Sequence, residues 1–212
     1  MLKVARIAAL FGVALATSAC VGNNAAVQTD LDARPGYAED VTKPIRQGEI
    51  TSAEFTSASR STYSITDIAV VVPEYLVVSE ADVYIPKADI VWREDPLGDR
   101  RAQVKAIMED ALTRGTANMN GRPVILAVQL SMFHALTERA RETTGGRHNI
   151  QFDYVLLDAK TRAPIQTAKR VDASLAGFGG RKAYRAMREG QTQKVRITDH
   201  VAKVIREELT KG

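Results

Sequence analysis

Nine consecutive residues, Trp92-Arg93-Glu94-Asp95-Pro96-Leu97-Gly98-Asp99-Arg100, hold five charged side chains and the only tryptophan of the chain. Glu94, Asp95 and Asp99 offer carboxylates that could serve as general acid or base. Arg93 and Arg100 could hold an anion through charge-assisted hydrogen bonds. With Trp92 as an anchor, the stretch makes a recognition loop of Trp92, Arg93, Asp95, Asp99 and Arg100. The same residues also read as a strand end followed by a helix cap. Trp92 is then packed in the core, Asp95 or Asp99 is the N-cap, and Arg100 lies in solvent. Nothing beside them resembles a nucleophile or a metal set. The sequence lacks Gly-x-Ser-x-Gly, Ser-x-x-Lys, His-Glu-x-x-His and Walker signatures. His134, His148 and His200 are spread along the chain, so no shared zinc site is expected. Gly177-Phe178-Gly179-Gly180-Arg181 has no Lys-Ser/Thr ending and reads as a strand-to-helix turn, not a phosphate loop. No residue is assigned as catalytic, and no cofactor or metal is expected.

A different chemistry is written at the start. Lys3 and Arg6 precede an apolar run over residues 7–15, followed by Ala16-Thr17-Ser18-Ala19-Cys20. A basic opening, a short apolar centre and small residues before the cut describe a secretory signal. The run is too short to span a bilayer, which takes about 20 apolar residues. Cys20 resembles the cysteine of the bacterial lipobox, with Ser18 and Ala19 fitting the two preceding positions. Thr17 departs from that pattern, where a branched apolar residue is usual. The other reading is ordinary cleavage after Ala19. Cys20 is the only cysteine, so it has no internal disulfide partner. Lipid on Cys20 would tie the chain to a membrane through several acyl chains, at about 0.8 kcal/mol per buried CH₂. Val21 in place of Asp favours the outer membrane by resemblance to lipoprotein sorting.

Removing residues 1–19 leaves 27 Lys and Arg against 25 Asp and Glu, a balance that does not call for nucleic acid. The charge is uneven, however. Residues 160–212 carry 13 basic and 5 acidic side chains. For an exported chain, anionic lipid headgroups or an acidic envelope protein are the partners such a surface fits. A solvated helix face would read the same way.

Residues 20–61 lack sustained periodicity and read as a tether with an irregular lead-in, with a short strand possible near 54–63. Residues 62–212 read as one domain. Short apolar runs at 68–72, 75–78, 83–85 and 90–92 read as strand pieces. A helix follows, starting at Asp95-Pro96 or Asp99. Val104, Ile107, Met108, Ala111 and Leu112 form its stripe, and Gly115 ends it. A long strand opens at Val124, with Leu126, Val128, Leu130 and Met132 on one face. It is expected to run on to Thr144, turn at Gly145-Gly146, and return through residues 148–158. Opposed residue numbers then sum to 291. The outer half of this hairpin is polar on both faces, making Arg139, Arg141 and Arg147 a possible contact surface. A further strand is expected over 165–175, a short helix over 182–188, and a last helix beginning near Gln191 or Thr198. Ile197, Val201, Val204, Ile205 and Leu209 form the stripe of that last helix. The expected fold is α+β. An antiparallel sheet of four or five strands carries two main helices on one face, in the order β-α-β-β-β-α.

Several segments carry a family resemblance: Ala88-Asp-Ile-Val-Trp-Arg-Glu-Asp-Pro-Leu-Gly-Asp-Arg100 with Gln103-Val-Lys-Ala-Ile107, Phe133-His-Ala-Leu-Thr-Glu138, Gly145-Gly146, and Gly190-Gln-Thr-Gln-Lys-Val-Arg-Ile-Thr-Asp-His200. Together they resemble uncharacterised alphaproteobacterial lipoproteins, domain of unknown function 6778, over roughly residues 61–209. The resemblance implies an envelope lipoprotein facing the periplasm and supplies no catalytic residue. Two functions compete on this reading. One is a non-enzymatic binding or accessory component of an envelope assembly or transport system. The other is an envelope hydrolase, which would need Glu94, Asp99 and a histidine gathered in one cleft.

Overall fold

The structure is a computed structural model and describes residues 61–211. The leader, Cys20, the tether and most of the lead-in strand lie outside the described residues. Six strands and four helices follow one another as β1 (Tyr63–Val71), β2 (Ile90–Val91), α1 (Arg100–Thr116), β3 (Arg122–His134), α2 (Glu138–Glu142), β4 (Gly146–Asp158), β5 (Lys169–Asp172), β6 (Leu175–Gly177), α3 (Gly180–Arg188) and α4 (Gln193–Thr210).

The sheet is mixed, which corrects the expectation of a purely antiparallel one. β1 and β2 both run parallel to β3, while β4 is antiparallel to β3, and β5 and β6 are antiparallel to β4. The path is β1-β3-β4-β5, with β2 on β3 and β6 on β4. Parallel partners need a long crossover, and α1 supplies it between β1 and β3. That crossover is the physical reason the simple meander fails.

α1 starts at Asp99, whose side chain accepts from the Ala102 N–H at 3.0 Å. Its whole expected stripe is buried, as is that of α4 apart from the half-buried Val204. The two helices pack against each other and α1 lies on β1. Gly115 does not end α1. It lies where α4 comes closest: a Cβ there would sit 2.5 Å from the Ala202 carbonyl oxygen and 2.5 Å from Ile205 Cγ2. A methyl would force the helices apart. The left-handed turn after α1 is made by Asn118, at φ 59°.

β3 buries Val124, Leu126, Val128 and Leu130, then shifts register between Leu130 and Met132. The extra residue of this bulge swaps the two faces. Phe133 therefore reaches the core and Met132 does not. Opposite these residues, Ile150, Phe152, Tyr154 and Leu156 of β4 complete the sheet side of the core.

The long hairpin is also corrected. β3 stops at His134, which pairs with Asn149, so opposed numbers sum to 283 there and not 291. Thr137 caps α2 by accepting from the Ala140 N–H, and α2 is closed by Gly145, φ 70°, donating to the Ala140 carbonyl at 2.7 Å. The glycines terminate a helix instead of turning a hairpin. The expected strand at 165–175 is two pieces, β5 and β6, and α3 begins slightly earlier than the expected short helix.

Candidate functional site

The stretch 92–100 links the end of β2 to the start of α1, and the fold gathers its charges in one place. Trp92 is fully buried, edge-on to Phe133 with ring centroids 5.8 Å apart. Its indole N–H donates to Asp95 Oδ2 at 2.8 Å. It is a core residue, so the anchor role in a recognition loop is not open to it. Asp99 caps α1 and is likewise engaged.

Arg100 lies in the protein, not in solvent, with its side chain 5 % exposed. Its Nε donates to Glu80 Oε1 at 2.6 Å and Nη2 to Glu80 Oε2 at 3.0 Å, a two-pronged pair. Nη1 donates to the carbonyls of Asp95 and Pro96 and to Gln103 Oε1. These bonds tie the loop 93–99 to α1 and to Glu80. Arg93 donates from Nε to Glu138 of α2 and from Nη1 to the Glu80 backbone carbonyl. On the other side, Lys194 Nζ donates to both oxygens of Asp95, at 2.9 and 3.1 Å, and the Lys194 backbone N–H meets the Glu94 carboxylate at 3.3 Å. One cluster of charges thus joins the 80s segment, β2, α1, α2 and the first turn of α4.

The electrostatics follow from these contacts. The hydrogen bond from Arg100 holds the Glu80 carboxyl below its ordinary range, helped by the charges of Arg100 and Arg93. Burial pushes Asp95 upward, but hydrogen bonds from Lys194 and Trp92 outweigh it and leave the group below its ordinary value. The Glu138 hydrogen bond raises Arg93. Both carboxylates therefore stay ionised at neutral pH, and their charges are already met by cations. A general acid needs the opposite bias.

A cleft of about 560 Å³ opens beside the cluster, lined by Glu80, Arg93, Glu94, Asp95, Pro96, Leu97 and Arg100. No histidine lines it. His134 Nδ1 lies 3.2 Å from the Ala88 carbonyl oxygen, and His200 is on α4. His148 is fully buried on β4, its Nδ1 accepting from the Leu136 N–H at 3.3 Å. The gathering of Glu94, Asp99 and a histidine that a hydrolase would require does not occur in this cleft. Among the described residues no group of three or more His, Cys, Asp or Glu side chains is placed to hold a metal ion.

The three arginines expected on a hairpin separate. Arg139 and Arg141 lie on α2, whereas Arg147 is on β4 and approaches Asp172 at 3.8 Å. The Arg139 guanidinium sits 5.9 Å from the centre of the Tyr84 ring, and Arg141 Nη1 donates to Met187 Sδ at 2.7 Å. Glu80, Glu138 and Lys194 are the members of the cluster that sequence reasoning missed. Their partners are 20, 45 and 99 residues away, and no local pattern announces them.

The model of a family of unknown function, DUF6778, matches residues 63–212. No curated protein matches the chain. Among solved structures, a candidate lipoprotein of Caulobacter crescentus CB15 is similar at 22 % identity and a TM-score of 0.32, covering 50 % of this chain and 80 % of its own. The PelC dodecamer of Paraburkholderia phytofirmans is similar at 16 % identity and a TM-score of 0.31, covering 69 % of this chain and 89 % of its own. A single-substitution variant of that dodecamer gives 15 % identity and a TM-score of 0.34, with 72 % and 92 % covered.

Proposed function

The chain belongs to DUF6778, a family of unknown function, and from that premise we propose that it is a lipid-anchored envelope protein that acts by binding a partner. The observation that carries this reading is the leader: a basic opening and a short apolar run end in small residues at the only cysteine, Cys20. Cleavage there would leave a diacylated or triacylated N-terminus holding the domain at a membrane facing the periplasm, with Val21 favouring the outer membrane. Among the described residues, no helix is long and apolar enough to cross a membrane.

Two features support binding over catalysis. The charged cluster at 92–100 is occupied internally: Arg93 and Arg100 are bonded to Glu138 and Glu80, and Asp95 to Lys194. Large apolar side chains nevertheless face outward: Tyr75 is 72 % exposed, Ile85 80 % and Leu97 83 %. Exposed apolar side chains rimmed by polar residues fit an interaction surface. Leu97 and Ile85 are placed to enter a partner's apolar pocket, while the salt-bridged cluster behind them holds their loops in shape.

Crosslinking in intact cells, followed by purification from the envelope fraction, tests the binding reading. A discrete adduct is expected for the native chain, and its yield should fall when Ile85 and Leu97 are both replaced by Ser. Recovery of free monomer alone, together with unchanged envelope behaviour in a deletion strain, would overturn it.

A further inference from the structure

The surface formed by α2 and α3 is built unlike the rest of the domain. α3 reads Gly-Arg-Lys-Ala-Tyr-Arg-Ala-Met-Arg and buries only Ala183 and Ala186, two small residues one turn apart. The longer side chains on it are exposed, with the Lys182 ammonium 4.0 Å from the centre of the Phe178 ring. Arg181, Lys182, Arg185 and Arg188 are exposed, no acid lies within the helix, and Arg181, Arg185 and Arg188 make no ion pair among the described residues. An ordinary surface helix mixes signs, as α1 does with Lys105–Glu109 and Arg114–Asp110.

Two apolar side chains stand among these cations, Tyr184 at 39 % and Met187 at 37 % exposure. The patch does not stop at α3. Met187 Sδ accepts from Arg141 of α2, and Arg139 on the same helix lies over the exposed Tyr84 ring. Together α2 and α3 carry six positive charges. Against them stand Glu138, already bonded to Arg93, and Glu142; Glu189 follows α3 directly.

We infer that the α2–α3 surface docks on an anionic phospholipid bilayer, a contact separate from the lipid on Cys20. A short helix with cations around an exposed Tyr and Met is the composition of an interfacial helix. Long arginine and lysine stems let the charged heads reach phosphates while the apolar side chains enter the headgroup boundary. Tyr184 and Met187 are exposed enough for shallow insertion. Geometry allows the contact. The surface lies at the end of the sheet where β3 finishes, while Tyr63 pairs with Arg122 at the start of β3. β3 spans roughly 40 Å at about 3.3 Å per residue. A fully extended chain of the length that separates Cys20 from Ser61 would reach about 130 Å, more than the length of β3.

The inference takes only its setting from the envelope reading, and its test does not need the lipid. The purified, unprocessed full chain is sedimented with vesicles of phosphatidylcholine alone or mixed with phosphatidylglycerol. Binding is expected to be stronger to the anionic vesicles, and salt should weaken that excess. Each cation near an anionic surface is worth about fivefold in partitioning, so Arg181→Gln with Arg185→Gln should weaken binding about 25-fold. Lys182→Gln with Arg188→Gln is the second variant and should do the same. Lys160→Gln with Lys169→Gln, exposed and away from the patch, should leave binding close to native. Lys3 and Arg6 are present in every protein compared, so the leader cancels. Equal loss in the control pair, or no loss in both patch variants, overturns the inference. Equal native binding to the neutral and the anionic vesicles also overturns it.

Discussion

Trp92→Ala should lower the unfolding free energy by about 3–5 kcal/mol, the range for truncating a large aromatic in a packed core. Trp92 has no exposed surface and meets Phe133 edge-on. Its loss removes that contact and leaves a cavity bounded by β2, β3 and α1. It also strips Asp95 of the indole N–H that helps hold the carboxylate ionised. Domains are typically stable by only about 5–15 kcal/mol, so the substitution takes a large share. Urea unfolding monitored by circular dichroism measures the change. Trp92→Phe separates the two causes in part, since it keeps an aromatic ring in the core and deletes the donor with only part of the ring volume. It should cost about 1–2 kcal/mol. A change below about 1 kcal/mol for Trp92→Ala would mean that Trp92 is not the core residue described, and would reopen its role as a surface anchor.

Acid should weaken the fold well above the range in which carboxylates protonate, through His148. Burial of the ring, with the Arg196 charge beside it, lowers its pKa from 6.5 to about 4. Nδ1 accepts from the Leu136 N–H, which places the ring proton on Nε2, a buried atom with no partner among the described residues. A second proton on Nδ1 would face that N–H and break the bond. The sign follows from linkage. Between pH 6.5 and about 4 the unfolded chain binds a proton that the folded chain refuses, so stability falls as pH falls through that window. The slope is about 1.36 kcal/mol per pH unit, or roughly 3 kcal/mol across the window. His200 is also lowered by burial and adds in the same direction, so the informative quantity is a difference between proteins. Urea midpoints at pH 7 and pH 5 should converge for His148→Gln, which keeps an acceptor and does not titrate. They should diverge for the native chain. Equal pH dependence in the two proteins would exclude His148 as the cause.

The helices were legible because their signals are local. The stripe from Val104 to Leu112 marks α1, and of the two starts expected, Asp95-Pro96 and Asp99, the helix takes Asp99. The α4 stripe is as clear, and of the two starts expected the helix takes the one near Gln191, beginning at Gln193 with Thr192 as its cap. The sheet was legible only in its alternation. Pairing direction depends on where the chain goes between strands, and residues 72–99 carry β1 past a loop and the two-residue β2 before α1 crosses back. No period records that path. The supposed hairpin shows a local signal misassigned. Gly145-Gly146 between two extended runs is a good turn signature, but Thr137 is equally a good N-cap, and α2 claimed the glycines as its terminus. A shift of eight in the register sum followed, and with it the separation of Arg147 from Arg139 and Arg141.

The candidate site failed to be legible for another reason. The five charges at 92–100 were visible, yet what they do depends on Glu80, Glu138 and Lys194. A free arginine and an arginine locked between a carboxylate and two carbonyls look identical in sequence. The cluster turned out to hold loops in place, and the outward surface passed to side chains that seemed unremarkable, Ile85 and Leu97, and to the unmixed charge of α3.

On the proposed reading, the setting of the domain depends on its first twenty residues. Intact-mass analysis of the chain purified from the membranes of the cells that make it tests that setting most directly. The expected mass corresponds to a chain beginning at Cys20, lacking residues 1–19 and carrying added acyl groups. A chain that keeps Met1, or one that begins at an unmodified Cys20, would contradict it.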